Sequence, residues 1–196
     1  MKKYFILLLL SLLAGHTAIA QDKIKIRNDS LPTALLIIDI QEFYFPGGKL
    51  PLANPEEACS NASEVLKLFR AQHLPVIMIQ HGSNSPIHTS VAPAKGEKVI
   101  IKHEANSFNG TDLLDFLKFL GVKRLVICGM QTQMCVEATT RAAYDYGFKC
   151  IVVGDACAAR DLKYGDHTVS AADVQASTLA TLDGNYAKVV NTLNLK

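Results

Sequence analysis

The sequence predicts an α/β domain built on an open, mostly parallel sheet with helices on both faces. Three observations carry this. Short β-rich apolar runs recur along the chain, they are apolar on both faces, and they alternate with segments of helical periodicity. A strand buried on both sides needs helices on both sides, and strict alternation supplies them. Length and composition agree. A chain of 196 residues, 49% hydrophobic and 19% charged, suits one domain with a full-sized core. Its 12 Gly and 7 Pro exclude a collagenous or disordered chain.

The first run is Thr33 to Ile38 (TALLII), ending at Asp39. Asn54-Pro55-Glu56-Glu57 then signals a helix start: a capping residue, Pro at the first helical position, and acids in the first turn. Ala58, Ala62, Val65, Leu66 and Phe69 follow at helical spacing, and the helix stops before Pro75. Val76 to Gln80 and Val99 to Ile101 are the next two runs. Thr111 is placed to cap a helix carrying Leu113, Leu114, Leu117 and Leu120, closed by Gly121. Leu125 to Cys128 reads as a strand, followed by a helix from about Thr132 to Tyr146 that Gly147 closes. Ile151 to Val153 is the fifth run. A last helix is expected over roughly Val169 to Leu182, closed by Gly184, before a short strand at Val189-Val190. Two long loops, Gln41 to Ala53 and His81 to Glu97, follow the C-terminal ends of strands, where open α/β sheets place their sites.

The N-terminus reads differently. Met1-Lys2-Lys3 is basic, Phe5 to Leu13 is apolar, and Ala18-Ile19-Ala20 is a small-x-small cleavage site. This is the pattern of a secretory signal peptide over residues 1–20, cleaved after Ala20, and the apolar run is short for a bilayer span. The expectation is a periplasmic or secreted protein, with a connector over 21–32, the domain over 33–196, and no membrane attachment after cleavage. The full chain has 20 Lys and Arg against 18 Asp and Glu. Without Lys2 and Lys3 the two counts are equal, so no long-range field steers the mature protein to nucleic acid or anionic lipid. The cysteines are Cys59, Cys128, Cys135, Cys150 and Cys157. An odd set leaves at least one unpaired, and the absence of C-x-x-C removes thioredoxin-type and most zinc-ribbon readings.

Three residues with chemical potential share one rim of the expected sheet. Asp39 ends the first strand, Lys102 ends the third (VIIK), and Cys135 follows the fourth, where a helix begins. All strand C-termini of a parallel sheet point one way, so these residues can converge although distant in sequence. A helix N-terminus and a nearby ammonium would lower the pKa of a thiol, a carboxylate could take its proton, and free helical N–H groups could hold an oxyanion. This reasoning predicts a reactive thiolate at Cys135, alkylated well below pH 8.

The residues also match a known pattern. LLIIDIQEFYF (Leu35 to Phe45), VIIKHEANSFNGTDL (Val99 to Leu113) and VICGMQTQMCVEATTRAAYDYGF (Val126 to Phe148), followed by IVVGDACA (Ile151 to Ala158), resemble the isochorismatase-like cysteine hydrolases, relatives of nicotinamidase and N-carbamoylsarcosine amidase. The matches span most of the mature chain, and the third is the specific one. The resemblance implies a six-stranded parallel sheet, Cys135 as nucleophile, Asp39 as general base and then acid, and Lys102 as their charge partner. It also implies a cis peptide at Met130–Gln131 that turns the Gln131 amide toward the oxyanion beside the Cys135 amide. Gln41, Tyr44, Phe45, His81 and Phe108 lie on the loops expected to surround a small-molecule substrate. The family often assembles near the site, which implies a homo-oligomer.

Departures sharpen the expectation. Metal-dependent nicotinamidases carry Asp-x-His on the first long loop, whereas this one reads EFYFPGGKLPLA, with neither residue. A lone His81 does not make a metal site. The chain is therefore expected to use no metal and no cofactor. Phe43 replaces an Asp usual in the family. A thiol at Cys135 favours cleavage of a C–N bond in an amide, ureide or carbamoyl compound through a thioester. The competing readings are isochorismatase-type ether cleavage and a non-catalytic binding protein on the same fold.

Overall fold

The structure is a computed structural model that describes Lys25, Ile26 and residues 31–195. The signal-peptide segment and most of the connector lie outside the described residues. No helix among the described residues is long and apolar enough to cross a membrane.

Six parallel strands form the main sheet: β1 (Thr33–Ile38), β2 (Val76–His81), β3 (Lys98–Lys102), β4 (Arg124–Met130), β5 (Lys149–Ala158) and, after the small strands β6 (Leu162–Tyr164) and β7 (His167–Val169), β8 (Lys188–Val190). Their order is β3-β2-β1-β4-β5-β8. The chain works outward from β1 in one direction, then returns to β4 and works outward in the other. The β1/β4 boundary is thus the switch point of a doubly wound sheet. Every residue of β1 and β4 is buried, as expected of central strands covered on both faces. The helices α1 (Pro55–Ala71), α2 (Leu113–Phe119), α3 (Glu137–Asp145) and α4 (Ala171–Leu182) flank the sheet. α1 buries the predicted stripe Ala58, Ala62, Val65, Leu66 and Phe69 against β5, β4 and β1.

Boundaries shift where long-range pairing overrides local pattern. β5 runs on to Ala158 because Cys157 and Ala158 pair with Gly129 and Met130 across a register shift in β4. Asn54 precedes α1 in the left-handed conformation, φ 49°, without a side-chain cap. The last helix starts at Ala171, capped by Ser170 accepting from the Asp173 amide, and Val169 belongs instead to β7. β6 and β7 form a hairpin whose two-residue turn puts Gly165 at φ 57°. The Gly-Asp pair between them is a recognisable turn signal that the helical reading of Val169 concealed. The connector is anchored in part: Ile26 is buried, and its carbonyl accepts from Arg124 Nη2 at 2.6 Å.

The five cysteines are all free and buried. Cys150 pairs in register with Leu125, near the start of β4, while Cys128 lies near its end, so the two thiols are offset along adjacent strands. Gly129 sets how closely β1 and β4 approach. A Cβ there would lie 2.0 Å from the Ile38 carbonyl oxygen, and its φ of 135° disfavours any side chain. Gly129→Ala is expected to cost about 3 kcal/mol or more, read as a large drop in denaturation midpoint.

Candidate active site

The switch point brings Asp39, Lys102 and Cys135 together. Asp39 is the first residue past β1. It is completely buried and left-handed, φ 51°, a conformation Asp tolerates better than most residues but which remains a local strain. Its amide bonds the Ile79 carbonyl at 3.0 Å, which fixes the turn out of the sheet. Lys102 ends β3 and is as buried as its partner; its Nζ stands 2.6 Å from Asp39 Oδ2. Neither Asp39 oxygen has a hydrogen bond of good geometry, so the ammonium meets the carboxylate as a charge contact. Nζ also donates to the Glu104 carbonyl at 2.9 Å and to Cys135 Sγ at 3.3 Å, and it lies 3.3 Å from His81 Nδ1.

Cys135 sits in a π-helical turn, Thr132–Val136, that joins β4 to α3. The Met134 and Val136 amides both bond the Gln131 carbonyl, at 3.1 and 3.2 Å, which winds the turn tightly around the cysteine. The Met130–Gln131 peptide is cis. The loop after β3 is locked to α3 by Ser107, whose amide and hydroxyl both meet Thr139 Oγ1, at 3.0 and 2.8 Å. That buried clamp holds the Lys102 side of the site against the Cys135 side. The cysteine keeps only 5% exposure, but its sulfur faces an ammonium and a carboxylate rather than hydrocarbon.

The electrostatics correct one expectation. Burial pushes the Cys135 thiol up to about 12, the Asp39 charge adds to the rise, and Lys102 opposes it only in part. A nearby ammonium alone does not make a resting thiolate here, because desolvation and the carboxylate within 4.8 Å outweigh Lys102. Fast alkylation below pH 8 is therefore not expected. Asp39 is likewise raised, by its burial first, with Lys102 pulling it back down. Cys150 and Cys157 are also pushed up to about 12 by burial.

These shifts predict alkaline weakening. A thiol whose folded value exceeds its unfolded one, near 9, contributes stability that is intact below pH 9 and lost as pH rises toward 12. Each thiol held neutral should remove on the order of 1 kcal/mol per pH unit in that window. The melting temperature should fall steeply between pH 9 and 11, and substituting Cys157 by Ala should flatten the slope. A flat profile would contradict the assignment.

The loop residues divide. Gln41 is completely buried and committed to backbone: Nε2 donates to the His81 and Ser85 carbonyls, and Oε1 accepts from the His81 amide at 2.8 Å. It builds the wall behind His81. His81, exposed at the end of β2, is brought next to Lys102 by the register of β2 and β3. Tyr44 is buried, and its hydroxyl accepts from Gln131 Nε2 at 3.4 Å. Burial raises its phenol above the ordinary value. Phe45 stacks on His88, with ring centroids 4.2 Å apart. Phe108 packs on Tyr146 and Phe148, just past the C-terminal end of α3.

Two participants escaped the sequence reading. Arg160, just past β5, donates Nε to Gln131 Oε1 at 3.2 Å; the strand-end rule that found Asp39 and Lys102 would have found it had β5 been read to its full length. The Glu104 carbonyl carries no sequence signal, since any residue supplies one. As for metals, Asp39, His81 and Cys135 each offer one ligand atom, all within 4.8 Å of one another. Lys102 Nζ stands within 3.3 Å of all three, so the positive charge such a set attracts is already supplied by the ammonium.

Fold and cluster together define a doubly wound α/β protein with a buried carboxylate, ammonium and thiol at its switch point. The model of the isochorismatase domain matches residues 33–184. YddQ of Bacillus subtilis, an uncharacterised isochorismatase family protein, is 45% identical over 83% of this chain and 97% of its own length. A maleamate amidohydrolase of Pseudomonas putida is 28% identical over 68% of this chain and 81% of its own. A crystal structure from Oleispira antarctica, described as an isochorismatase hydrolase, superposes with a TM-score of 0.81 at 42% identity, covering 84% of this chain and 96% of that one. The chain belongs to the isochorismatase family. It is a hydrolase of that family.

Proposed function

We propose that the protein hydrolyses the C–N bond of a small amide, ureide or carbamoyl compound through a thioester on Cys135. The observation that carries this is the state of Asp39: a buried carboxylate with both oxygens lacking a hydrogen bond, within 4.8 Å of a neutral thiol. Buried unsatisfied groups are costly and concentrate where chemistry uses them. Desolvation makes Asp39 a stronger base, and its first use is to take the Cys135 proton as sulfur attacks the carbonyl carbon.

The oxyanion of the tetrahedral intermediate is held by the Gln131 and Cys135 amides at the turn into α3. Asp39 then gives its proton to the leaving nitrogen, the C–N bond breaks, and an acyl-thioester remains. A water molecule, deprotonated by Asp39, attacks the thioester; the C–S bond breaks, the carboxylic acid leaves, and the proton returns to sulfur. Lys102, in contact with both Asp39 and Cys135, balances the negative charge as it passes from the carboxylate to the sulfur. A relative named for amide hydrolysis supports a C–N substrate over an ether.

The test is a screen of small amides, ureides and carbamoyl compounds with ammonia release as readout. Release that depends on Cys135 supports the reading. Consumption of a vinyl ether with no amide turned over would replace it, and equilibrium binding without turnover would favour a binding protein. The N-terminal pattern adds export to the proposal, checked by fractionation and by sequencing the mature N-terminus for Gln21.

A further inference from the structure

The turn that carries Cys135 is tied to an element outside it. Its first residue, Thr132, is completely buried, and its hydroxyl donates to Gln175 Oε1 of α4 at 2.5 Å. An amide oxygen has no proton, so the hydroxyl is the donor. The nitrogen of the same amide has two protons, and both are used. Gln175 Nε2 donates to the Gly154 carbonyl at 3.0 Å and to the Cys157 carbonyl at 3.1 Å. Those two carbonyls fix which way the amide faces, and with it the oxygen presented to Thr132.

Both carbonyls lie where β5 falls out of step with β4. Ile127 pairs with Val152 and Gly129 with Cys157, so Val153 to Ala156 stand opposite Cys128 alone. Side chains serve the backbone of this stretch: Asn61 Nδ2 donates to the Asp155 carbonyl at 2.7 Å, between the two bonds from Gln175. Gln175 is thus a strut from the irregular end of β5 to the start of the turn. A Leu there would leave two carbonyls and a hydroxyl without it, and a Glu would set a carboxylate against two carbonyl oxygens. The Gln131–Thr132 peptide is held at both ends. Its carbonyl accepts from the Met134 and Val136 amides, and Thr132 is bonded to Gln175.

We propose that Gln175 is a positioning residue that, through Thr132, sets where the Thr132–Val136 turn sits, and so where the Cys135 sulfur and the oxyanion amides sit. The bonds inside the turn keep its shape; the bond to α4 fixes its place against β5. Donors for an oxyanion act on an atom position that exists only during reaction, so a small displacement costs rate more than binding. The catalytic consequence rests on the hydrolase reading, whereas the anchoring of the turn does not.

Two variants of the full chain cut the strut from opposite ends. Thr132→Val keeps the shape and removes the hydroxyl; Gln175→Leu removes the amide. The first readout is iodoacetamide alkylation at one mildly alkaline pH, resolved by peptide mass spectrometry, because all five cysteines are free and buried. Each variant should alkylate Cys135 about three- to tenfold faster than the parent, the worth of one hydrogen bond, with Cys128 and Cys150 unchanged. The second readout is turnover of an amide that the parent hydrolyses. Here kcat should fall by about tenfold or more in each variant, with KM within about twofold. The double variant should be no slower than the slower single one, since both remove the same bond. An unchanged Cys135 rate would overturn the proposal. So would a rise shared equally by Cys128 and Cys150, which reports general loosening, or a kcat equal to the parent's. Turnover that survives Cys135→Ala would instead sink the hydrolase reading and leave the alkylation pattern to decide the anchor.

Discussion

Cys135→Ala should abolish hydrolysis of any substrate the protein is found to turn over, by on the order of 10⁴-fold or more in kcat, while leaving the fold intact. The mechanism has no bypass. Asp39 is completely buried, and without a thiol its basicity has nothing to activate. Stability should change by about 1 kcal/mol or less, since the sulfur contributes a polar contact to Lys102 rather than a packed hydrocarbon volume. Cys135→Ser is the sharper version. Its hydroxyl keeps the contact to Lys102 but holds its proton far more tightly than a thiol, so a base of Asp39's strength cannot remove it. Both variants should melt near the parent and show no turnover. Full activity in either would remove the thioester from the mechanism.

The placement of these residues was legible in the sequence because it needs only topology. Asp39 and Lys102 end strands, Cys135 opens the turn after a third strand, and parallel pairing sends all three to one rim. The central strands were equally legible, since Thr33–Ile38 is apolar throughout and has no other stable environment. Charge state was not. The same neighbours that suggest a thiolate, a helix start and an ammonium, are opposed by burial and by Asp39, and their balance depends on distances and solvent exclusion that no spacing encodes. Gln41 and Phe108 illustrate the other gap. Both sit on loops at plausible positions, yet Gln41 is spent on the backbone of His81 and Phe108 turns to the far end of α3. Loop residues are placed by tertiary contacts, and a sequence read locally cannot choose among them.

Lys102→Met should cost both activity and stability, and the way the two losses separate tests the charge pair itself. The substitution keeps an unbranched chain of similar length and deletes the ammonium. Asp39 is then a fully buried carboxylate with no counter-charge and no hydrogen bond. Breaking a buried pair in this way typically costs about 3–5 kcal/mol if the survivor stays ionised. Burial is already the largest influence on Asp39, so with Lys102 gone the acid escapes part of that cost by holding its proton. A protonated Asp39 cannot accept the proton of Cys135, and turnover should fall about as far as in the cysteine variants.

The pH dependence carries the sign. A carboxyl whose folded value is raised binds its proton more tightly folded than unfolded. Its contribution to stability is present at low pH and lost as pH climbs through the raised value. Lys102→Met should therefore lie closest to the parent in melting temperature in mild acid and fall progressively behind it toward neutrality. Adding Asp39→Asn removes the titrating group and leaves two neutral side chains. The double variant should regain most of the lost stability, lose the pH dependence of the difference, and remain inactive. If Lys102→Met instead melts with the parent at every pH, or turns over substrate at the parent's rate, then the ammonium is not what keeps Asp39 able to accept the Cys135 proton.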